Sequence, residues 1–133
     1  MFEGLKLNKG LVEYQNQRLK KKVNDLTEDQ RRDYYNLLAP ALKDHDTYAV
    51  LNYLLAAGLH HFYLGKILRG SINLVILITG ISLILFTKYV FVGTLLIVFI
   101  LITELLALFR SQVIVMNHNN QLSEEILESI SKG

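Results

Sequence analysis

"INLVILITGISLILFTKYVFVGTLLIVFILITELLALF", residues 72–109, decides the fold. It is two apolar runs, 72–86 and 89–109, parted by Thr87 and Lys88. Residues 70–87 carry no charge, and residues 89–103 carry none either. A bilayer core about 30 Å thick takes roughly 20 helical residues. The run 89–109 has that length as it stands, and 72–86 reaches it if its helix starts near Arg69, whose long side chain can snorkel to the interface. Helices apolar on every side belong in lipid or deep inside a large protein, and a chain of 133 residues is not large. The stretch therefore predicts membrane-inserted helices.

Working outward, a third apolar run precedes these two, "YAVLNYLLAAGL" at 48–59. Twelve residues rise only about 18 Å as a helix, so the run either recruits flanking residues from Lys43 to Tyr63 or does not cross fully. Charge divides the chain in the same way: 17 of the 26 charged residues lie within 1–46, and only Lys66, Arg69, Lys88 and Glu104 lie within 47–109. The expected fold is all-α, an integral membrane helical hairpin or bundle of two to three hydrophobic helices. It carries an N-terminal polar helical arm (1–45), a transmembrane domain (46–110) and a short C-terminal amphipathic helix (111–133).

In the arm, Leu11, Leu19 and Val23, with Val12 and Leu26 beside them, fall at helical spacing. Thr27 with Gln30 has the form of a capping box, followed by Glu28 and Asp29 at the positive end of a helix dipole. Tyr34, Tyr35, Leu38 and Leu42 make the apolar side of that second helix, and Pro40 should end or kink it. Asp46 and Thr47 are suitable N-caps for a helix over the apolar run that begins at Tyr48. Lys20, Lys21 and Lys22 would favour anionic lipid, whereas the acids interleaved with them favour a packed helical hairpin or an oligomer contact. In the tail, Leu122, Ile126 and Ile130 form a single apolar stripe that needs a partner.

Nine Lys and Arg in the arm predict, by the positive-inside rule, a cytoplasmic N-terminus. The first fifteen residues lack the continuous apolar core of a secretory signal, so the arm is expected to stay where it is synthesised. Three full crossings would put the tail on the other side, and two crossings with one re-entrant segment would return it to the arm, the partner its stripe asks for. A net charge of +2 with interleaved signs gives no reason to expect nucleic acid as a partner. The absence of cysteine removes disulfides, thiol nucleophiles and Cys-based zinc sites.

The polar residues inside the apolar block are the candidate sites. His60 and His61 are adjacent, and neighbouring helical residues point about 100° apart, unlike the i, i+3 or i+4 pairs that share a metal. His45 and His118 have no ligand-like spacing to them, so neither metal nor cofactor is expected. Glu104 is the one acid in a long apolar helix, on a face shared with Gly93, Ile97 and Ile100. It would reach headgroup water, meet a partner among His60, His61, Lys66 and Arg69, or mark a proton or ion path. Asn52 and Asn73, with Thr79 and Ser82, suit hydrogen bonding between helices. No phosphate-binding, metalloprotease or serine-nucleophile pattern is present, and the chain is not expected to be an enzyme.

The stretch "LLAAGLHHFYLGKILRG" resembles the signature of the two-transmembrane (TM-two) domain family, in which a short apolar helix ends in a pattern like G-x-H-R-F-Y-L-G-K. Gly58, His60, Phe62, Tyr63, Leu64, Gly65, Lys66 and Gly70 occupy matching positions. His61 stands where the family has arginine, and Glu104 where it carries aspartate. The resemblance covers about residues 46–110 and leaves both polar ends unexplained. It implies a small helical membrane domain of the bacterial inner (cytoplasmic) membrane, with no common activity. The expected function is a non-enzymatic anchor or interaction protein that lies in the lipid bilayer and self-associates as a homo-oligomer or joins another membrane protein. The alternative is a small oligomeric channel or proton-coupled regulator using Glu104. The signature stretch itself reads as a connector at the membrane surface, with a structural or recognition role.

Overall fold

The computed structural model describes residues 6–55 and 58–132. Among them the chain forms seven helices and no strand: α1 (Lys9–Asn24), α2 (Glu28–Leu38), α3 (His45–Leu55), α4 (Leu59–Tyr63), α5 (Ile67–Phe86), α6 (Val90–Phe109) and α7 (Ser111–Lys132). Two of them, α5 and α6, are long and apolar enough to cross a membrane. At 20 residues each they are about 30 Å long. They pack on one another as a hairpin turned by residues 87–89. Thr87 shapes that turn, its hydroxyl donating to the Leu83 carbonyl at 2.7 Å and accepting from the Tyr89 N–H at 3.0 Å.

Glycine sets the spacing of the hairpin. A Cβ on Gly93 would lie 2.6 Å from the Gly80 carbonyl oxygen, and one on Gly80 would lie 2.9 Å from Ile97. The two backbones meet where both side chains are absent, a close approach typical of small-residue interfaces between membrane helices. Gly93, Ile100 and Glu104 are the buried face of α6, as their spacing predicts. Elsewhere the pair is bare: only 17 % of the most apolar stretch of either helix is buried, and Leu68, Val75, Phe86, Phe91 and Phe109 stand exposed.

At the base of the hairpin the chain does not end but thickens. After α6 only Arg110 intervenes before α7 begins, and α1 and α2 pack along α7. Leu19, Val23, Tyr34, Leu38 and Leu127 form the core of this three-helix bundle, with Leu122, Ile126 and Ile130 against it. The tail stripe and the arm thus cover one another. Polar pairs fix the register. Asn120, which is buried, accepts from Asn16 at 2.9 Å and donates to the Val12 carbonyl at 2.9 Å. Tyr34 and Ser123 share a buried hydroxyl hydrogen bond of 2.6 Å. Arg18 and Gln15 both reach the Glu124 carboxylate.

Several local details differ from the sequence reading. Val12, not Leu11, is the inward residue of the first turn, and Leu11 is exposed because a one-residue step turns a helix by about 100°. Tyr35 and Leu42 also face outward, leaving Tyr34 and Leu38 in the core. The capping box forms as expected, Thr27 and Gln30 each bonding the other's backbone. For α3 the cap is Asp44 rather than Asp46 or Thr47: its carboxylate accepts from the Thr47 N–H at 2.7 Å and the Thr47 hydroxyl at 2.9 Å. These bonds hold the Asp44 carboxyl below its usual carboxylate range.

The run 48–59 does not go from one end of the hairpin to the other. Helix α3 has eleven residues, about 16 Å, and starts beside α7, where Tyr48 packs with Ile114 and Val115. It climbs to the level of Glu104. The chain then returns through α4, until the Tyr63 hydroxyl accepts a hydrogen bond from the Asp44 N–H at 2.9 Å. Lys43 lies over the same ring, 4.8 Å from its centroid. Segment 44–63 therefore enters and leaves at one level, wedged against the lower parts of α5 and α6.

Candidate functional site

The signature residues build the return limb of this wedge. Gly58 adopts the left-handed conformation at φ 78°, and a Cβ there would come 2.9 Å from Cβ of Asn73. Gly65 reverses the chain into α5 with φ 70° in open space, where the conformation and not crowding demands glycine. Gly70 lets the Phe62 ring lie on the α5 backbone, since a Cβ would fall 2.6 Å from Phe62 Cε2. Leu64 is buried in the Tyr48 cluster, Tyr63 ties the limb to Asp44, and Lys66 donates its N–H to the His61 carbonyl at 2.8 Å. Lys66, Arg69 and Arg110 are all engaged in interactions. The motif is thus a set of packing and turning devices that press α4 onto α5.

What they deliver to the interior is His60. Its ring is 1 % exposed, edge-on to Tyr48 with centroids 4.9 Å apart, and its Nε2 lies 3.2 Å from Glu104 Oε2. Asn73 of α5 donates to the other carboxylate oxygen, Oε1, at 2.5 Å. Asn52 of α3 donates to the Glu104 backbone carbonyl at 3.1 Å. All four polar residues are buried. They come from α3, α4, α5 and α6, so the cluster joins every element of the hydrophobic part. Glu104 does not reach out to the end of its helix. It is the internal hub, and His60, one of the four partners that its sequence position allowed, lies against the carboxylate.

The hub is incompletely satisfied. His60 Nε2 and Glu104 Oε2 are close, but neither has an aligned hydrogen-bond partner, although both atoms are shut off from solvent. Buried polar atoms left in this state are uncommon and costly. His61 also departs from the sequence argument. Its ring does not point away from His60 but leans over it, with centroids 4.1 Å apart at 45°. Possible ligand atoms of His60, His61 and Glu104 all lie within 4.8 Å of one another. Adjacent side chains diverge from the backbone, yet two long rings on a single helical turn can fold toward a common point.

The remaining candidates lie elsewhere. Thr79 is exposed on the outer face of α5, away from the hub. His45 sits between Asp44 and Asp46 at the exposed start of α3, 4.0 and 3.2 Å from their carboxylates. His118 is on α7, half-buried, and its imidazole is held below the usual value by burial and by the positive charges of Lys66 and Lys43, with Glu125 opposing. Sequence reading missed Tyr48, which looked like one more apolar residue, and the Asn16 and Asn120 pair. Their pairings span 104 residues of chain or more, beyond the reach of local spacing. No family model, curated protein or solved structure matches the chain.

Proposed function

We propose that the chain is a non-enzymatic membrane anchor and interaction protein, holding a cytoplasmic three-helix bundle against the inner face of a bacterial inner membrane. One observation carries the reading: α5 and α6 have bilayer length and leave their apolar faces uncovered, while the polar arm and tail close on each other at one end. In water so much contiguous apolar surface would drive aggregation. In lipid it needs no further partner, and the span length matches the hydrocarbon core. The resemblance of residues 46–110 to the TM-two domain family agrees with this reading, as does the excess of Lys and Arg in the arm.

The interaction role draws support from the bundle surface. Leu11 and Tyr14 on α1, with Tyr35 and Leu37 on α2, are large apolar side chains left exposed outside the hydrophobic hairpin. They suit contact with a second copy or another membrane protein. The channel reading has less support, because the polar groups around Glu104 are turned toward one another inside a single chain. Crosslinking in native membranes, followed by native electrophoresis in mild detergent, tests the proposal: complexes larger than the monomer are expected, and Leu11→Asp with Tyr14→Asp should remove them. A strict monomer under both conditions would sink the interaction role and leave only the anchor.

A further inference from the structure

We infer that His60, His61 and Glu104 form a binding site for one divalent transition-metal ion of the zinc type, set at the junction of the re-entrant segment and the hairpin. The inference goes beyond the anchor role and stands independently of it. Three observations meet here. Two imidazoles and a carboxylate present ligand atoms within 4.8 Å of one another. The two innermost atoms, His60 Nε2 and Glu104 Oε2, are buried, 3.2 Å apart and without an aligned hydrogen bond. And the carboxylate is already oriented, since Asn73 occupies Oε1 and leaves Oε2 facing His60.

Metal geometry accounts for this arrangement. Zinc binds imidazole nitrogen and carboxylate oxygen at about 2.0–2.2 Å, which puts neighbouring ligand atoms of a tetrahedron about 3.4 Å apart. The His60 and Glu104 pair stands close to that separation. His61 completes a third vertex by closing at most about 1.4 Å, within reach of a side-chain rotation, and the fourth position falls to water. Asn73 on the carboxylate and Tyr48 against the His60 ring then act as the outer groups that fix ligand orientation. The donors decide the chemical class. Lys66 and Arg69 are near enough for their charge to act on His61 and to oppose a cation, and a single carboxylate is too little for calcium or magnesium, which need several oxygens. Imidazole selects zinc, copper, nickel or iron, whose bonds to nitrogen do not rest on charge alone.

The test uses the full chain in lipid nanodiscs, purified without a histidine tag and stripped with chelator, then titrated with cobalt(II) and with zinc(II). One cobalt per chain with the visible absorption of a tetrahedral site is expected, lost on adding zinc and not on adding magnesium. Glu104→Gln and His61→Phe should each weaken cobalt binding by about tenfold or more. His45→Ala and His118→Ala should leave it unchanged, which separates this site from surface histidines. Helical circular dichroism and elution volume check that each variant is folded. Because His61 is only half-buried, its variant covers the case in which Glu104→Gln does not fold. Wild-type protein that shows no tetrahedral cobalt spectrum overturns the inference, and so does a folded His61→Phe or Glu104→Gln variant with wild-type affinity.

Discussion

His118 shows how one residue couples arm and tail to pH. Burial and the charges of Lys66 and Lys43 hold its imidazole below the ordinary value near 6.5, and Glu125 only partly offsets them. The unfolded chain then binds a proton that the folded chain resists. Stability contributed by neutral His118 is therefore fully present above about pH 6.5 and is lost as pH falls through that value toward the depressed one. The thermal unfolding midpoint in detergent should fall between about pH 7 and pH 5, and His118→Gln should reduce that fall. An unchanged fall in the variant would assign the loss to another group. At the same scale, the hub shows what a sequence can and cannot disclose. Glu104 is conspicuous as a lone acid in an apolar helix. Its partners are not, because Asn52, His60 and Asn73 are brought to it by separate elements, and Tyr48 carries no mark that distinguishes it from its apolar neighbours. The convergence of His60 and His61 escapes local spacing for a different reason: the 100° rule describes where side chains leave a helix, not where flexible rings arrive.

Among the elements, the hairpin is the most legible. Two apolar runs with a Thr-Lys break give both helices and their turn, because length and apolar content suffice to specify them. The contact that sets their spacing is less so, since Gly80 and Gly93 acquire meaning only when α5 and α6 face each other. The built Cβ of Gly93 falls on a backbone oxygen, which cannot swing aside as a side chain would. Gly93→Ala should therefore force the helices apart and cost about 1–3 kcal/mol, read as a lower unfolding midpoint in detergent. Gly10→Ala, whose Cβ meets only the Asn8 side chain at 3.4 Å, serves as the tolerated control. The run 48–59 lies at the limit of what composition can decide. Twelve apolar residues fit either a short span with recruited flanks or a segment that turns back, and in the structure the Tyr63 hydroxyl on the Asp44 N–H brings the two ends of segment 44–63 together. That bond joins residues 19 apart and leaves no trace in local periodicity.

For the whole molecule, the returning segment and the two-helix hairpin put arm and tail together, the arrangement that the unpaired tail stripe favours from sequence. Single cysteines placed in this cysteine-free chain at Ser71, Lys88 and Ser131 make the membrane reading testable. In sealed inverted vesicles an impermeant thiol reagent should label position 131 and spare position 88, and in intact spheroplasts the pattern should reverse. Equal labelling of both positions on one side would refute two crossings. The join between the halves also has a mechanical side. With one residue between α6 and α7, and with Arg110 also hydrogen-bonded to the Leu7 carbonyl at the start of the arm, the bundle hangs from the hairpin on a very short hinge. Helix α7 is about 33 Å long, so a tilt of about 10° transmitted through that hinge displaces its far end by about 6 Å. In the proposed membrane setting, a hairpin that tilts to match a thinner or thicker bilayer would carry arm and tail with it through that hinge.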